Sequence, residues 1–351
     1  MLGPWFEIVI FPGFVFIVIL AILSEQINNR LNSRFYFKTE KTPMFIPIVE
    51  NFKFYIKGEQ ESISRNSILQ GIILVLMVAL PLFSSLLLPI NLWRSFENLQ
   101  IPNWIGVYGG YTGTNEGIVG VITFEGDLLL LFVLILFFGF LTFLAQYLNK
   151  HHSAKESLTK TFTFMIFDIP LFFVLIGPII AKRSLSLTIL AEDIRRIVNS
   201  NLTFGLVFLL PIAVVVSLFC LAMKFDQPYF DRINTDSIIR SNAPTPKNWK
   251  LNFWNLSMRL MEVVIAGLIV SVFLGGSYLP IPIHGNYQIL ANTANFIFKC
   301  LVVLMITTII RALRPRMRAN QTFNFALKIL TPLSFLSILL TGGYIGLVGI
   351  N

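Results

Sequence analysis

The stretch "RALRPRMRANQTFNFALKILTPL" at residues 311–333 places four arginines and one lysine between two apolar runs. The flanking runs, near 295–313 and 326–348, are each close to the roughly 20 residues that a helix needs to cross a bilayer. Loops on the cytoplasmic or matrix side of membranes are enriched in Lys and Arg. The stretch therefore predicts a turn between two membrane-spanning helices, with cations that set their orientation.

The whole chain has the composition of a membrane protein. Of its 351 residues, 55% are hydrophobic and 13% are charged, whereas about 25% of the residues in soluble domains are charged. Long continuous apolar runs predict helices, because lipid offers no water to unsatisfied backbone groups. We predict an all-α, polytopic membrane protein of about eight transmembrane helices in one domain, residues 1–351. The predicted helices lie near 6–24, 68–90, 128–148, 161–181, 203–223, 259–279, 295–313 and 326–348.

The positive charges are concentrated on one predicted face of the membrane. Most of the 27 Lys and Arg residues lie in the loops after predicted helices 1, 3, 5 and 7. This asymmetry predicts that these loops face the inside and that both termini lie on the outer side. It also favours a lipid membrane over nucleic acid as the reason for the net charge of +9. Two inner loops, 25–67 and 224–258, are long enough to dock other subunits.

Two carboxylates interrupt apolar runs. Asp168 lies in "TFMIFDIPLFFVL" and Glu262 in "LSMRLMEVVIAGLIV". Ionisable residues at membrane depth are costly and commonly mark an ion path or a polar cavity. Two structural alternatives remain open: Asp168 at a helix end reached by interfacial water, and Glu262 in an ion pair with Arg259 one turn away.

The motifs of soluble catalytic sites are absent. The chain has no GxGxxG or Walker A sequence, and the glycine-rich segment 106–117 is typical of a loop. His151 and His152 are adjacent, and His284 lies on the opposite predicted face, so they cannot share one metal. Cys220 and Cys300 are isolated within apolar runs. We therefore predict no metal site.

The quoted stretch resembles a signature of one known family, the membrane subunit that joins the two arms of respiratory complex I. That protein is chain 1 of the mitochondrial enzyme and the H subunit of the bacterial one. The family pattern is R-A-T-x-P-R-x-R-x-D-Q, followed by a helix that begins W-K-x-x-x-P-L. The matching positions are Arg311, Ala312, Pro315, Arg316, Arg318, Gln321, Lys328, Pro332 and Leu333.

Other stretches resemble the family in the same order. "PIVENFKFYIK" at 47–57 is similar to Q-P-x-A-D-x-x-K-L-x-x-K, with Glu50 at the aspartate and Lys53 at the first lysine. An interfacial anchor helix remains an alternative for this segment. "MIFDIPL" at 165–171 is similar to I-S-Y-E-x-P-L, which places Asp168 at the glutamate, and Glu262 lies at the glutamate of the family's A-E-Y segment.

The loop at 221–238, "LAMKFDQPYFDRINTDSI", both resembles the family and departs from it. It is similar to L-A-E-x-N-R-x-P-F-D-x-P-E-x-E-x-E-L, which in the family lines the quinone chamber. The family's glutamates align with Asn234, Asp236 and Ile238, and its upstream glutamate falls near Lys224. Two or three carboxylates are therefore missing here.

The resemblance implies a protein that binds no cofactor itself and forms the wall of a quinone chamber, with quinone as substrate and an iron-sulfur cluster in a partner. It implies a proton relay of Asp231, Asp236, Asp168 and Glu262. A second implied set would line the chamber or dock soluble subunits: Phe230, Glu50, Lys53, Arg311, Arg316 and Arg318. The expected function is that of a membrane component of a complex I-type, proton-translocating NADH-quinone oxidoreductase, in the mitochondrial inner membrane or a prokaryotic cytoplasmic membrane.

Three alternatives remain open. The equivalent protein also occurs in ferredoxin-linked membrane-bound hydrogenases and sulfur-reducing complexes, which use no quinone, and the missing carboxylates favour that assignment. A purely structural role in a divergent complex would leave the site to other subunits. A free-standing secondary transporter would also have buried carboxylates, but it gives no reason for the match at 311–333.

Overall fold

The helices of this protein run roughly side by side as a bundle. The computed structural model describes residues 14–35, 65–90, 125–148, 154–191, 204–225, 249–277, 287–313, 317 and 319–348, and these ranges contain no strand. They contain ten α-helices of seven residues or more: α1 Phe14–Phe35, α2 Arg65–Ser85, α3 Asp127–Tyr147, α4 Ala154–Met165, α5 Asp168–Lys182, α6 Phe204–Phe225, α7 Trp249–Phe273, α8 Tyr287–Leu313, α9 Ala319–Phe325 and α10 Thr331–Val348.

The predicted all-α polytopic fold is confirmed. Within the described ranges, six helical segments are long and apolar enough to cross a membrane, and shorter apolar helices lie at Phe14–Asn28 and Pro211–Phe225. Two of the six crossings are composite: α4 and α5 form one, and α9 and α10 form another through a π-helical segment at Ala326–Leu330. The chain is a multi-pass membrane protein, and the side on which its termini lie stays a prediction.

Helix α1 extends beyond the C-terminal end that the sequence predicted for it. The apolar run predicted a helix near 6–24, whereas the described helix continues to Phe35. Ser24, Gln26 and Asn28 are all buried beyond the apolar run. Packing against other helices therefore extends α1 into residues that hydropathy alone assigns to the loop at 25–67.

A break between α4 and α5 follows from Pro170. Proline has no N–H to donate to the carbonyl four residues before it, so a helix cannot pass through this position undisturbed. Helix α4 ends at Met165, and α5 begins at Asp168 with Pro170 in its first turn. This break places the Asp168 carboxylate at a helix N-terminus, where the helix dipole favours negative charge.

Helix α7 lies at the centre of the bundle. Of its apolar segment Phe253–Phe273, 83% is buried, compared with 50% or less for the other five crossings. It packs against α1, α2, α6 and α8. A charged side chain on α7 therefore needs partners from the neighbouring helices.

Gly267 permits the close approach of α7 to the turn after α2. A Cβ atom at Gly267 would lie 2.7 Å from Leu88 Cδ1. Replacing Gly267 with valine is expected to destabilise the protein by about 1–3 kcal/mol, because overpacking forces neighbouring side chains out of place. The thermal denaturation midpoint of the detergent-purified protein measures this effect.

The matched control is Gly342→Val, since a Cβ atom at Gly342 has no neighbour within 4 Å. Both changes introduce the same β-branched residue into a helix, so any difference between them reports packing. Equal midpoints for the two variants would contradict the predicted close contact at Gly267.

Candidate functional site

Buried charged side chains gather at one end of the bundle, which we call the inner end. It is formed by the C-terminal turns of α6 and α8, the second half of α1, the start of α5 and the middle of α7. The C-terminal ends of α6 and α8 are ends that the charge pattern assigns to the inside of the membrane. Two groups of charged residues lie here, one around Asp168 and one around Glu262.

Asp168 forms a buried ion pair with Lys224. The first residue of α5 and the last turn of α6 bring them together, and Lys224 Nζ donates a hydrogen bond to Asp168 Oδ1. Each residue is 1% exposed. The other carboxylate oxygen, Asp168 Oδ2, has no hydrogen-bond partner among the described residues.

Two aromatic rings lie beside this pair. Lys224 Nζ lies 4.6 Å from the centroid of the Phe164 ring. Phe164 is itself buried and meets the Phe225 ring edge-to-face, with centroids 5.6 Å apart. A cation over an aromatic face gains electrostatic stabilisation that grows when the cation is desolvated. The ammonium group is therefore held between one carboxylate and one aromatic ring.

Glu262 is held by two arginines. Arg259, one turn earlier on α7, donates from Nη1 to Glu262 Oε2 at 2.9 Å. Arg311, in the last turn of α8, donates from Nη2 to the other oxygen, Oε1. Glu262 is 1% exposed, whereas the side chains of Arg259 and Arg311 are 29% and 11% exposed. Both carboxylate oxygens are thus occupied by charged donors.

Helix α6 connects the two groups. Arg311 Nε donates to the backbone carbonyl of Ala222 at 3.2 Å, while its Nη2 donates to Glu262. Ala222 precedes Lys224 by two residues in the last turn of α6. That turn therefore carries Lys224 of one ion-paired group and accepts a hydrogen bond from Arg311 of the other.

Helix α1 contributes polar side chains to the inner end. Asn28 is hydrogen-bonded to Thr308 of α8, one turn before Arg311, and both residues are buried. Glu25 lies close enough to Arg259 to interact with it electrostatically. Asp168, Glu262 and Glu25 then balance Lys224, Arg259 and Arg311 in formal charge. Such balance offsets the cost of burying ions, provided that the geometry is good.

The described residues at the inner end are ion-paired carboxylates and cations. Among the residues that the structure describes, no group of three His, Cys, Asp or Glu side chains could hold a metal ion. What the inner end does offer is two buried carboxylates on different helices, each with cationic partners. Asp168 retains one oxygen that is open to a proton.

Comparison with known proteins assigns the family. A family model described as NADH dehydrogenase matches residues 6–342. The chain belongs to this family. Among the relatives is the NADH-quinone oxidoreductase H subunit of Brevibacillus brevis, 24% identical over 194 residues, and that of Geobacillus kaustophilus, 26% identical over 194 residues. Each alignment covers 55% of both proteins, so the chain spans about half the length of the curated relatives it matches.

Three of the residues predicted from the NADH dehydrogenase family pattern are described, and all three lie at the inner end. Asp168 is buried inside the bundle, so the alternative of a helix end in interfacial water does not fit. For Glu262, the ion pair with Arg259 that the sequence left open is present. Arg311 turns into the bundle toward Glu262. The remaining predicted residues lie outside the described ranges: Glu50, Lys53, Phe230, Asp231, Asp236, Arg316 and Arg318.

Sequence reasoning missed Lys224 as the partner of Asp168. The sequence showed only that a lysine stands near a position where the NADH dehydrogenase family pattern has a glutamate. That exchange of charge was the available signal, because a cation in an apolar segment needs a counter-charge. Its partner is 56 residues away in the chain, and no local spacing relates the two.

Proposed function

We propose that this chain is a core membrane subunit of a complex I-type NADH-quinone oxidoreductase. In that role it forms part of the quinone chamber and the start of the proton path that couples quinone reduction to ion translocation. The supporting observation is that buried carboxylates with cationic partners lie at the inner end of a chain that matches the NADH dehydrogenase family over residues 6–342.

The coupling follows from electrostatics at short range. Reduction of a quinone adds negative charge close to the inner end, and two unit charges interact strongly where water is excluded. Negative charge attracts protons toward nearby groups that can accept them. Carboxylates near the chamber therefore take up protons when the acceptor is reduced and release them when the charge is removed.

Each predicted residue has a role in this proposal. We assign Asp231 and Asp236 to the mouth of the path, and Asp168 and Glu262 to its continuation within the membrane. The second set from the family pattern lines the chamber or docks soluble subunits: Phe230, Glu50, Lys53, Arg311, Arg316 and Arg318. Charge-assisted hydrogen bonds from arginine suit such docking.

The chain itself supplies no redox cofactor in this proposal. Electrons reach the quinone from an iron-sulfur cluster of a soluble partner, and other membrane-arm subunits continue the ion path. The complex resides in an energy-transducing membrane, either the mitochondrial inner membrane or a prokaryotic cytoplasmic membrane.

Electron transfer to a short-chain quinone by the complex, purified in detergent from its native membrane, tests this function. The intact complex is expected to reduce quinone, and Asp231→Asn is expected to lower that activity by about tenfold or more while assembly on a native gel survives. Positioned proton-transfer groups typically contribute 10²–10⁴-fold in rate.

Glu125→Gln is the matched control, because it removes an exposed carboxylate that precedes α3, away from the inner end. It is expected to leave both activity and assembly unchanged. An Asp231→Asn complex that assembles and reduces quinone at the wild-type rate would remove Asp231 from the chamber.

A ferredoxin-linked complex without quinone is the second candidate. It is favoured by Lys224, which lies near a glutamate of the family pattern and is committed to Asp168 in a buried ion pair. The same preparation distinguishes the two functions: a complex that never reduces quinone but passes electrons to protons or sulfur supports the second.

A further inference from the structure

The Asp168–Lys224 pair differs from the Glu262 group in one respect. Both oxygens of Glu262 accept hydrogen bonds from arginine, whereas only Oδ1 of Asp168 accepts one, from Lys224. Asp168 Oδ2 is buried and has no hydrogen-bond partner among the described residues. A buried polar atom without a partner is costly, so its presence calls for an explanation.

We propose that Lys224 is a positioning residue of the proton path, which holds the Asp168 carboxylate ionised through Oδ1 and leaves Oδ2 as the proton-accepting atom. This proposal rests on the proposed function, since it assigns a residue to the same path. It concerns a lysine that the family pattern does not provide.

The reason lies in the cost of burying a single charge. An ionised carboxylate without a counter-charge is strongly disfavoured in an apolar interior. Lys224 supplies that counter-charge, and the centroid of the Phe164 ring lies 4.6 Å from its ammonium nitrogen. Without Lys224, Asp168 would stay protonated throughout, and a carboxyl group that cannot lose its proton cannot pass protons on.

The proton step is simple to balance. A proton that reaches Asp168 forms an O–H bond at Oδ2, and the same bond breaks when the proton moves on. The carboxyl group thus alternates between charges of −1 and 0, while Lys224 remains at +1. Cys220, one turn before Lys224 on α6, is the other titratable group among the described residues that interacts with both partners.

Protonation of Asp168 would also be felt by the Glu262 group. When the carboxylate is neutralised, the charge of Lys224 is no longer balanced by its partner. The same turn of α6 carries the Ala222 carbonyl, which accepts a hydrogen bond from Arg311. An unbalanced cation in this turn disfavours the nearby Arg311 guanidinium by like-charge repulsion. The pair is therefore placed to transmit a charge change toward Glu262.

The test compares Lys224→Arg and Lys224→Met in the intact complex, with assembly followed on a native gel. Two quantities are measured: protons translocated per electron transferred, and the carboxylic C=O stretching band in the reduced-minus-oxidised infrared difference spectrum. Wild type is expected to show a band that Asp168→Asn removes. Lys224→Arg is expected to keep both the band, shifted by the altered hydrogen bond, and the proton ratio.

Lys224→Met is expected to lose the band and most of the proton translocation while it still transfers electrons. Lys299→Met is the matched control, because Lys299 lies in α8 and donates to the carbonyls of Leu274 and Gly276 at the opposite end of the bundle. A Lys224→Met complex with the wild-type proton ratio, or a wild-type band that Asp168→Asn leaves unchanged, overturns the proposal.

Two further results keep the test decisive. If the Lys224→Met complex does not assemble, the infrared band of the Lys224→Arg complex is compared with that of wild type: an unshifted band overturns the proposal, and a shifted band supports it. If the wild-type complex does not reduce quinone, the proposed function fails, and the infrared comparison is made after chemical reduction. The Asp168 band then still supports or overturns the assignment of Lys224.

Discussion

Replacing Glu262 with methionine is expected to prevent most of the complex from assembling. The change removes both carboxylate oxygens and leaves the Arg311 and Arg259 cations without the counter-charge that they share. Breaking a buried ion pair by removing one partner costs about 3–5 kcal/mol, which is a large part of the roughly 5–15 kcal/mol that stabilises a typical domain. The amount of assembled complex on a native gel, relative to wild type, measures the loss.

Second-site changes show which arginine depends more on Glu262. Glu262→Met with Arg311→Met is expected to recover more assembled complex than Glu262→Met with Arg259→Met. The reason is that the Arg311 side chain is 11% exposed and the Arg259 side chain 29%, so Arg259 can reach solvent more easily. Equal recovery, or better recovery with Arg259→Met, would contradict a stronger dependence of Arg311 on this carboxylate.

Replacing Asp168 with leucine is expected to have an effect of the same size. It leaves the Lys224 ammonium buried, with the Phe164 ring as its remaining partner among the described residues, and the expected cost is again about 3–5 kcal/mol. The double variant Asp168→Leu with Lys224→Met removes both charges, and apolar replacement of a whole ion pair is often neutral in stability. Assembly should therefore fall in the single variant and return in the double variant.

The double variant also separates stability from function. It restores packing but has no carboxyl group to carry a proton, so proton translocation per electron should stay low even where assembly recovers. Ile169→Leu is a suitable control, because it changes a partly exposed apolar neighbour of Asp168 without altering charge. If the double variant assembled no better than the single one, the pair would not be held together by mutual charge compensation.

Much of the architecture followed from the sequence alone. Apolar runs of about 20 residues can be stable in lipid only as helices, because the backbone must satisfy its own hydrogen bonds. The all-α fold and the approximate positions of its crossings were therefore predictable. The sequence predicted one helix near 161–181, whereas α4 ends at Met165 and α5 begins at Asp168. The break lies next to Pro170, which lacks the N–H that a helix interior needs.

The bounds of some helices were harder to predict from the sequence. Helix α1 extends past its apolar run to Phe35, with Ser24, Gln26 and Asn28 buried. Buried polar groups such as Asn28, which is hydrogen-bonded to Thr308, depend on which helices lie beside them. Hydropathy averages over a window of the chain and contains no information about neighbours from another part of it.

The contacts of the candidate site also divide into those that the sequence predicts and those that only the structure shows. The sequence by itself determined that Asp168 and Glu262 lie within long apolar runs and that Arg259 can reach Glu262, because these statements depend on composition and on a three-residue spacing. Only the tertiary structure decided that Lys224 pairs with Asp168 and that Arg311 pairs with Glu262, across 56 and 49 residues of chain. A buried charge needs some partner, but its identity is decided by how the helices pack.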